Sequence, residues 1–227
     1  MTDAKAIAVP VITIDGPGGS GKGTVSMRLA GELGWHFLDS GALYRIVAVA
    51  AMQNAVSPED EQQLAELASE LDAGFNFRDG QMMVTLGETD ITGKLRLEEV
   101  GTLASKVAVL PAVRSALIDR QRAFRKPPGL VADGRDMGTV IFPDAKLKIF
   151  LTASVEARAA RRHKQLKEKG ESVNLSRLFR DIEKRDQRDS NRATAPLKPA
   201  ADAHLIDSTD LSVDQVMEVI HKLLDVS

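Results

Sequence analysis

The sequence predicts an α/β fold in which a doubly wound sheet of five parallel strands carries a small antiparallel insert and a helical lid. Three observations lead to this prediction. Short apolar runs alternate with amphipathic stretches, a glycine-rich loop joins the first apolar run to the first helix, and residues 74–95 break the alternation. A chain of 227 residues can bury a proper core. We therefore expect one domain with inserts.

The predicted elements follow one another along most of the chain. Apolar runs predict strands at about 11–15, 36–38, 130–133, 147–151 and 203–207. Amphipathic periodicity predicts helices at about 22–33, 41–53, 59–71, 96–108, 111–125, 154–168, 174–190 and 213–225. Two helices have start signals. Ser57 and Pro58 are a cap and a first-turn proline, and Ser212 with Gln215 is of the capping-box type.

Residues 74–95 alternate with the two-residue period of strands. Phe75 and Phe77 are separated by a polar residue, and Asp79-Gly80 is a hairpin signal. The run after it places apolar side chains at Met82, Val84 and Leu86. This pattern predicts a small antiparallel sheet. Taken alone, it is either a surface hairpin without a functional role or a lobe that closes over a second substrate.

The most specific local motif lies in residues 9–24, VPVITIDGPGGSGKGT. Glycine accepts positive φ angles, so this loop can curl and turn several N–H groups toward one point. The helix N-terminus behind it adds partial positive charge, and Lys22 adds a full charge. The spacing Gly16-x4-Gly21-Lys22 matches the P-loop, in the expected context between a strand and a helix. The loop predicts a polyphosphate site in a nucleotide-using protein.

One position departs from the common P-loop pattern. A Ser or Thr usually follows the lysine, and its hydroxyl binds Mg²⁺. Here Gly23 follows Lys22, and Thr24 comes next. We expect Mg²⁺ to be held mainly through water, or with Thr24 taking part.

Two further polar groups follow predicted strands. Ser40 can cap the next helix and donate to an anion, and Arg45 lies about one turn later. The alternative is that Ser40 is only a helix cap and Arg45 only a solvated surface charge. Asp133, Arg135 and Asp136 follow the strand at 130–133. Ligands of doubly wound sheets bind at the carboxyl ends of strands, so this second group predicts a functional cleft. A carboxylate at Asp133 can hold the waters of Mg²⁺.

Residues 158–192 carry twelve Lys or Arg against six Asp or Glu. Four of these residues have the spacing of one helical face: Arg185, Arg188, Asp189 and Arg192. Guanidinium groups on one face repel unless anions lie between them, and arginine suits bidentate phosphate contact. A second cluster comprises Arg158, Arg161 and Arg162. Gly170 between the two helices indicates a mobile lid. The alternative is a charged hairpin on the surface.

Composition excludes several classes of protein. The net charge is −2, which argues against a general nucleic-acid or membrane-surface binder. There is no cysteine, hence no disulfide and no thiolate metal site, and the four histidines lack metal-ligand spacing. No apolar stretch has the length of a membrane span, and the N-terminal apolar run ends early at Asp15 without the cleavage pattern of a secretory signal. We expect a cytoplasmic monomer.

Several motifs of this sequence together resemble one enzyme family. GPGGSGKGT resembles the loop of nucleoside monophosphate kinases. Together with FLDSGALYR, the hairpin insert, ADGRDMGTVIFPDA and RDQRDSNRATAPLKPA, it is similar to the bacterial cytidylate kinase family from about Val11 to the final helix. The resemblance implies ATP-dependent phosphorylation of CMP and dCMP by in-line transfer of the γ-phosphoryl group, with Mg²⁺. It also implies one P-loop kinase unit, residues 1–227, with a core at about 1–73, 96–157 and 193–227, a CMP-side lobe at about 74–95 and a lid at about 158–192.

The resemblance assigns expected roles to the matched residues. Those near ATP are Gly16, Pro17, Gly18, Gly19, Ser20, Gly21, Lys22, Gly23, Thr24, Arg158, Arg161 and Arg162. Those that bind the acceptor are Ser40, Arg45, Ser105, Arg114, Arg135, Asp136, Arg185, Asp189 and Arg192. Within this second set, Ser105, Arg114 and Asp136 read cytosine, and Arg185 with Asp189 contacts the ribose. The expected catalytic residues are Lys22, Arg135, Arg188 and Asp133.

Two other classes remain open at this stage. One is a P-loop switch or ATPase that hydrolyses nucleotide to drive a partner. The other is a small-molecule kinase with a non-nucleotide acceptor such as shikimate. The basic lid suits two anionic ligands and disfavours the switch, while Ser105 and Arg114 favour a base-reading pocket over the second class.

Overall fold

The computed structural model describes residues 9–78, 81–168, 170 and 172–226. Its central sheet contains five parallel strands: β1 (Val11–Asp15), β2 (His36–Asp39), β6 (Leu130–Gly134), β7 (Leu147–Thr152) and β8 (His204–Asp207). Their order across the sheet is β2-β6-β1-β7-β8. The strand β6 therefore lies between β1 and β2, with Ile14 beside Asp133 in the parallel register. The predicted parallel sheet is confirmed, and each predicted strand agrees with an observed one to within one residue at either end.

Helices cover both faces of this sheet, as a doubly wound fold requires. They are α1 (Lys22–Leu33), α2 (Ser40–Gln53), α3 (Glu61–Ser69), α4 (Glu98–Val107), α5 (Pro111–Arg122), α6 (Val155–Glu168), α7 (Leu175–Ser190) and α8 (Val213–Asp225). Alternate residues of β1 point to opposite faces. Val11 joins the core formed with α2 to α5, whereas Ile12 and Ile14 join the core formed with α1 and α8.

Among the described residues, no single helix has both the length and the hydropathy needed to cross a membrane. The helices α4 and α5 meet those criteria only when taken together, and they are bent by 101° where they join.

The predicted cap of α3 is wrong by three residues, and the helix starts two residues later than predicted. Asp60 caps this helix, since its side chain accepts a hydrogen bond from the Gln63 N–H at 3.0 Å. Ser57 lies instead in the preceding turn, where its carbonyl accepts from the Asp60 N–H. Both Ser and Asp are good caps, so the choice between them depends on how the preceding turn is closed.

The capping box at α8 is confirmed. The Ser212 hydroxyl accepts from the Gln215 N–H at 3.2 Å, and the Ser212 N–H donates to the Gln215 side chain at 2.8 Å. The helix that follows buries Val216, Met217 and Ile220 against the sheet.

Replacing Ser212 with alanine removes one half of this capping box. The free energy of unfolding should fall by about 1 kcal/mol, because the first-turn N–H groups of α8 lose an acceptor. Urea unfolding followed by circular dichroism measures this difference. A variant as stable as the parent chain would contradict the capping role.

The antiparallel insert is also present. It comprises β3 (Ala73–Arg78), β4 (Gln81–Leu86) and β5 (Thr89–Asp90), in that order across a separate sheet. The Asp79-Gly80 hairpin signal lies outside the described residues. The ring of Phe75 packs edge-to-face on Phe124, with 5.5 Å between ring centroids, and so attaches the insert to the residues that follow α5.

Candidate active site

A polar cavity lies at the carboxyl ends of β2 and β6, between α2, α4 and α7. Its lining contains Ser40, Gly41, Tyr44, Arg45, Ala104, Ser105, Ala108, Gly134, Arg135, Asp136, Arg185, Asp189 and Arg192. Eight of the nine residues predicted to bind the acceptor therefore share one cavity. The ninth, Arg114, lies directly behind the lining. These residues come from α2, α4, α5, α7 and the segments after β6 and α7, which are far apart in sequence and are brought together by the fold.

The glycine-rich loop connects β1 to α1 beside this cavity. α1 begins at Lys22, and its N-cap Gly21 has φ 94° and ψ −2°, a left-handed conformation that glycine adopts without strain. No side chain hydrogen-bonds to this N-terminus in the part of the chain that is described. The first N–H groups of α1 therefore face the loop without a side-chain acceptor, as an anion site requires.

Lys22 and Asp133 form a buried pair at the base of the loop. The Lys22 Nζ lies 3.7 Å from Asp133 Oδ1 and 3.4 Å from the Pro17 carbonyl oxygen. Burial and the nearby Arg135 lower the pKa of Lys22, while burial raises the pKa of Asp133 despite the attraction of Lys22. Both groups are therefore poorly solvated charges, which a bound polyphosphate and its cation would stabilise.

The oxygen atoms near the loop suit a divalent cation that arrives with phosphates. Asp133 is buried at the strand end, and Thr24 is exposed in the first turn of α1. Among the described residues, no three His, Cys, Asp or Glu side chains group together as a metal site. A single carboxylate beside a phosphate loop fits Mg²⁺, which keeps several waters and binds through substrate phosphates.

The N-cap of α2 is Asp39, not Ser40 as predicted. The Asp39 side chain accepts from the Ala42 N–H at 3.0 Å, while Ser40 is the first residue of α2. The prediction that Ser40 caps this helix is thus wrong. Its buried side chain lines the cavity instead.

Arginine side chains make the cavity strongly cationic. Arg135 Nε donates to Asp189 Oδ2 at 2.9 Å. Burial lowers the pKa of Arg135, but the Asp189 carboxylate outweighs this effect and holds that pKa above its ordinary value. Burial, with the charge of Arg135, lowers the pKa of Arg185 to about 10. Arg185 Nε and Arg192 Nη2 are buried without a hydrogen-bond partner among the described residues, so the cavity holds donors that an anionic ligand would satisfy.

The far end of the cavity presents a polar edge. Arg114 Nη2 donates to Asp136 Oδ2 in a buried pair, and Arg114 Nη1 donates to the Ala108 carbonyl oxygen at 3.1 Å. The Arg114 guanidinium lies 5.8 Å from the centre of the Tyr44 ring. Ser105 Oγ is buried and has no hydrogen-bond partner in the described part of the chain. A carboxylate, a guanidinium and a free hydroxyl can together match a planar ligand with both donors and acceptors.

Asp15 orients the segment that carries Arg135 and Asp136. Its two carboxylate oxygens accept from the Met137 N–H at 2.9 Å and the Gly138 N–H at 2.8 Å. These residues begin a single π-helical turn, Met137–Ile141. π-turns often occur at functional sites, and here the turn follows the two cavity residues directly.

The burial of Asp15 has a measurable effect on stability. Burial raises its pKa from the ordinary value of 3.8 to about 6, although the two backbone hydrogen bonds lower it. The folded chain therefore binds this proton more tightly than the unfolded chain. The stability contributed by Asp15 is present below about pH 4 and is lost as the pH rises through about 6.

Comparison with Asp15→Asn isolates this contribution. The difference in free energy of unfolding between the parent chain and the variant should shrink by about 3 kcal/mol from pH 4 to pH 7. Urea titrations at several pH values measure it. A difference that stays constant over this range would contradict the raised pKa.

The three arginines at the start of α6 have different partners. Arg158 Nη1 donates to the Gly18 carbonyl oxygen at 3.1 Å, and the same guanidinium pairs with Asp186 of α7. Arg161 donates to the Ser20 carbonyl oxygen at 3.4 Å and to Ser208. Both arginines thus bind the backbone of the phosphate loop. Arg162 instead reaches α4, where it pairs with Glu98 at 3.0 Å.

Arg188 does not line the cavity. It borders a separate basic groove formed by Lys106, Val109, Lys184, Gln187, Arg188, Asn191, Arg192 and Ala193. The predicted common face of α7 is therefore wrong for this residue, since Arg185 and Asp189 lie on the cavity side. Because α7 ends at Ser190, Arg192 reaches the cavity from the segment beyond the helix.

Some residues that build the site had no assigned role in the sequence. Tyr44 lines the cavity, and Asp186 and Ser208 bind Arg158 and Arg161 of α6. Tyr44 could have been found from its position next to Arg45. Nothing in the local sequence distinguishes Asp186 or Ser208 from other polar residues, since their partners are distant in sequence.

Comparisons with known proteins identify relatives over nearly the whole chain. A family model described as cytidylate kinase matches residues 12–225. A cytidylate kinase of Methylococcus capsulatus is 60% identical over 211 residues, which cover 93% of this chain and 95% of that protein. A cytidylate kinase of Klebsiella pneumoniae is 58% identical over 210 residues, or 92% of each chain.

A solved structure extends the likeness to the fold. It is an uncharacterized protein from Eubacterium ventriosum, which is 14% identical, has a TM-score of 0.50 and is matched over 96% of this chain and 99% of its own. At that identity, the likeness concerns the fold alone. The family model and the relatives at about 60% identity show the family. The chain belongs to the cytidylate kinase family.

Proposed function

We propose that this protein transfers the γ-phosphoryl group of ATP to CMP and dCMP, with Mg²⁺ bound to ATP. The observation that carries the proposal is the buried cavity beside the phosphate loop. Its unpaired guanidinium donors suit an anion, and its polar edge suits a pyrimidine. Membership of the cytidylate kinase family supports the same donor and acceptor.

On the donor side, the loop from Gly16 to Thr24 surrounds the phosphates of ATP. The N–H groups at the start of α1 and the Lys22 ammonium bind the β- and γ-phosphates. Arg158 and Arg161 fix the loop through the carbonyls of Gly18 and Ser20, and Arg162 lies beside them on α6. When bound, Mg²⁺ would neutralise developing phosphate charge, and Asp133 with Thr24 would hold its waters.

On the acceptor side, guanidinium groups bind the phosphate of CMP. Arg45, Arg135 and Arg192 contact its oxygens, with Ser40 near the same group. Arg185 and Asp189 contact the ribose hydroxyls. We assign Arg188 no contact in this arrangement, since it borders the neighbouring groove.

The polar edge of the cavity reads cytosine. Asp136 accepts a hydrogen bond from the N4 amino group, and Arg114 and Ser105 donate to N3 and O2. Arg114 also holds Asp136 in place through the buried pair. A base with a carbonyl in place of the N4 amino group would face the Asp136 carboxylate with two acceptors in contact.

The transfer itself needs position and charge neutralisation more than a base. An oxygen of the CMP phosphate, already anionic near neutral pH, attacks the γ-phosphorus in line, and the bond to the β,γ-bridging oxygen breaks to release ADP. Lys22 and Arg135 stabilise the charge between the two nucleotides. The lid at about 158–192 and the lobe at about 74–95 close on the core and exclude water. We expect the protein to act as a monomer.

A panel of acceptors tests the function. ATP is incubated with CMP, dCMP, UMP, AMP, dTMP or shikimate, and with no acceptor, and the formation of ADP is followed. CMP and dCMP should give the fastest turnover by a wide margin. Preferred turnover of shikimate, or equal hydrolysis without any acceptor, would reject the proposal in favour of the other two classes.

A further inference from the structure

A glycine in the middle of α4 lies against an arginine of the cavity. If Gly101 carried a Cβ atom, that atom would lie 3.0 Å from Nη2, 3.1 Å from Nη1 and 3.3 Å from Cζ of Arg45. The Arg45 side chain projects from α2, lines the cavity, and donates from Nη1 to the Leu95 carbonyl oxygen at 2.7 Å. The guanidinium thus lies between the backbone of α4 and the chain just before it.

The backbone of α4 does not itself call for glycine here. Gly101 has an ordinary helical conformation and lacks a positive φ angle. Glycine inside a helix is less favourable than alanine, since its backbone loses more freedom on folding. The three atoms nearest to the missing Cβ all belong to the Arg45 guanidinium. Close approach of this cation is therefore the physical reason for glycine at this position.

We propose that Gly101 is a positioning residue for the acceptor substrate, which sets where the Arg45 guanidinium meets the acceptor phosphate. This inference rests on the proposed function, because Arg45 is assigned to that phosphate. Alanine at this position would push the guanidinium by a few tenths of an ångström. The hydrogen bond to Leu95 holds one side of the group, so the shift changes its direction toward the cavity.

Displacement of the Arg45 guanidinium should affect one contact only, that between Arg45 and the acceptor phosphate. Arg135 and Arg185 come from the segment after β6 and from α7, and neither is among the atoms nearest to the missing Cβ. The phosphate loop and Lys22 lie on a different part of the sheet. Substitution at Gly101 should therefore affect CMP and leave ATP binding unchanged.

The test compares Gly101→Ala with Gly31→Ala. Gly31 is an exposed glycine of α1, and a Cβ there would have no atom within 4 Å. For Gly101→Ala, the KM for CMP should rise by about tenfold, with kcat and the KM for ATP changed by less than about twofold. Both variants should keep or raise the parent Tm, by about 2 °C for Gly31→Ala. Gly31→Ala should leave all kinetic constants unchanged.

A double-mutant cycle with Arg45→Ala separates positioning from a general effect on the fold. In the Arg45→Ala background, adding Gly101→Ala should change the KM for CMP by less than about twofold, because the displaced group is gone. An equal rise in KM with and without Arg45 overturns the proposal, as does an unchanged KM in the single variant. Failure of the parent chain to phosphorylate CMP would instead reject the proposed function, and the same assays distinguish the two results.

Discussion

Alanine in place of Lys22 is expected to lower kcat for CMP phosphorylation by about 10³-fold while the protein still folds. The loop N–H groups remain, but the one ammonium at the base of the loop is lost. Fixed charges that face a developing charge in a water-poor site typically contribute this much to catalysis. Steady-state ADP release at saturating ATP and CMP measures the loss. Turnover within tenfold of the parent chain would show that Lys22 does not stabilise the transferred group.

The fold should survive because Asp133 can take up a proton. Burial already raises the pKa of Asp133, and removing the Lys22 charge raises that pKa further. The carboxyl then becomes neutral near pH 7, so the substitution leaves no unpaired charge at Asp133. Thermal unfolding of Lys22→Ala should therefore stay cooperative.

A second buried lysine provides the matched control. Lys148 on β7 is buried like Lys22, but it donates to Asp202 and to the Pro143 carbonyl oxygen, away from the cavity. Lys148→Ala should lower the Tm and leave kcat within about threefold. Comparable losses of kcat in the two lysine variants would indicate a shared effect on stability.

Asp136→Asn is expected to remove most of the preference for cytosine. The ratio of kcat/KM for CMP to that for UMP should fall by about 10²-fold, because the asparagine keeps its one oxygen on the Arg114 guanidinium and turns an N–H donor toward the N4 amino group. The asparagine amide can donate to the O4 carbonyl of uracil, so kcat/KM for UMP should rise as kcat/KM for CMP falls. Reactions with both acceptors present at equal concentration measure the ratio directly.

The chain also offers a control for this carboxylate. Arg125 and Asp144 form another Arg–Asp pair at 2.7 Å, partly exposed and outside the cavity lining. Asp144→Asn should leave the ratio of CMP to UMP unchanged. If Asp136→Asn also preserved the ratio, the assignment of Asp136 to cytosine would be refuted.

The central part of the sheet was predictable because the strands β1, β6 and β7 are buried on both faces. Runs such as Val11–Asp15 and Leu147–Thr152 are too apolar for any other place in the fold, and the helices between them show regular periodicity. Helix starts were harder to predict. Asp39 and Ser40 both carry good capping groups, and Asp60 competes with Ser57. In each pair, the geometry of the preceding residues selects the aspartate.

The site was predictable where a motif specifies the backbone around it. Residues 16–24 and the segment from Asp133 to Asp136 follow strands directly, so their positions are determined by the sheet. Helical spacing was a weaker guide, because Arg188 shares the spacing of Arg185 but faces the neighbouring groove. The contacts of Arg158 and Arg161 with the loop carbonyls depend on how α6 packs against the loop. The local sequence does not encode that packing.

The strand order β2-β6-β1 has a consequence for biosynthesis. A ribosome that has released the chain only as far as α3 has made the phosphate loop and Ser40, but not the strand that separates β1 from β2. Asp133, Arg135 and Asp136 emerge later, on or directly after the strand that takes its place between β1 and β2. Incomplete or C-terminally shortened polypeptides should therefore lack an assembled pocket. Translation must pass β6 before the nascent enzyme can consume ATP.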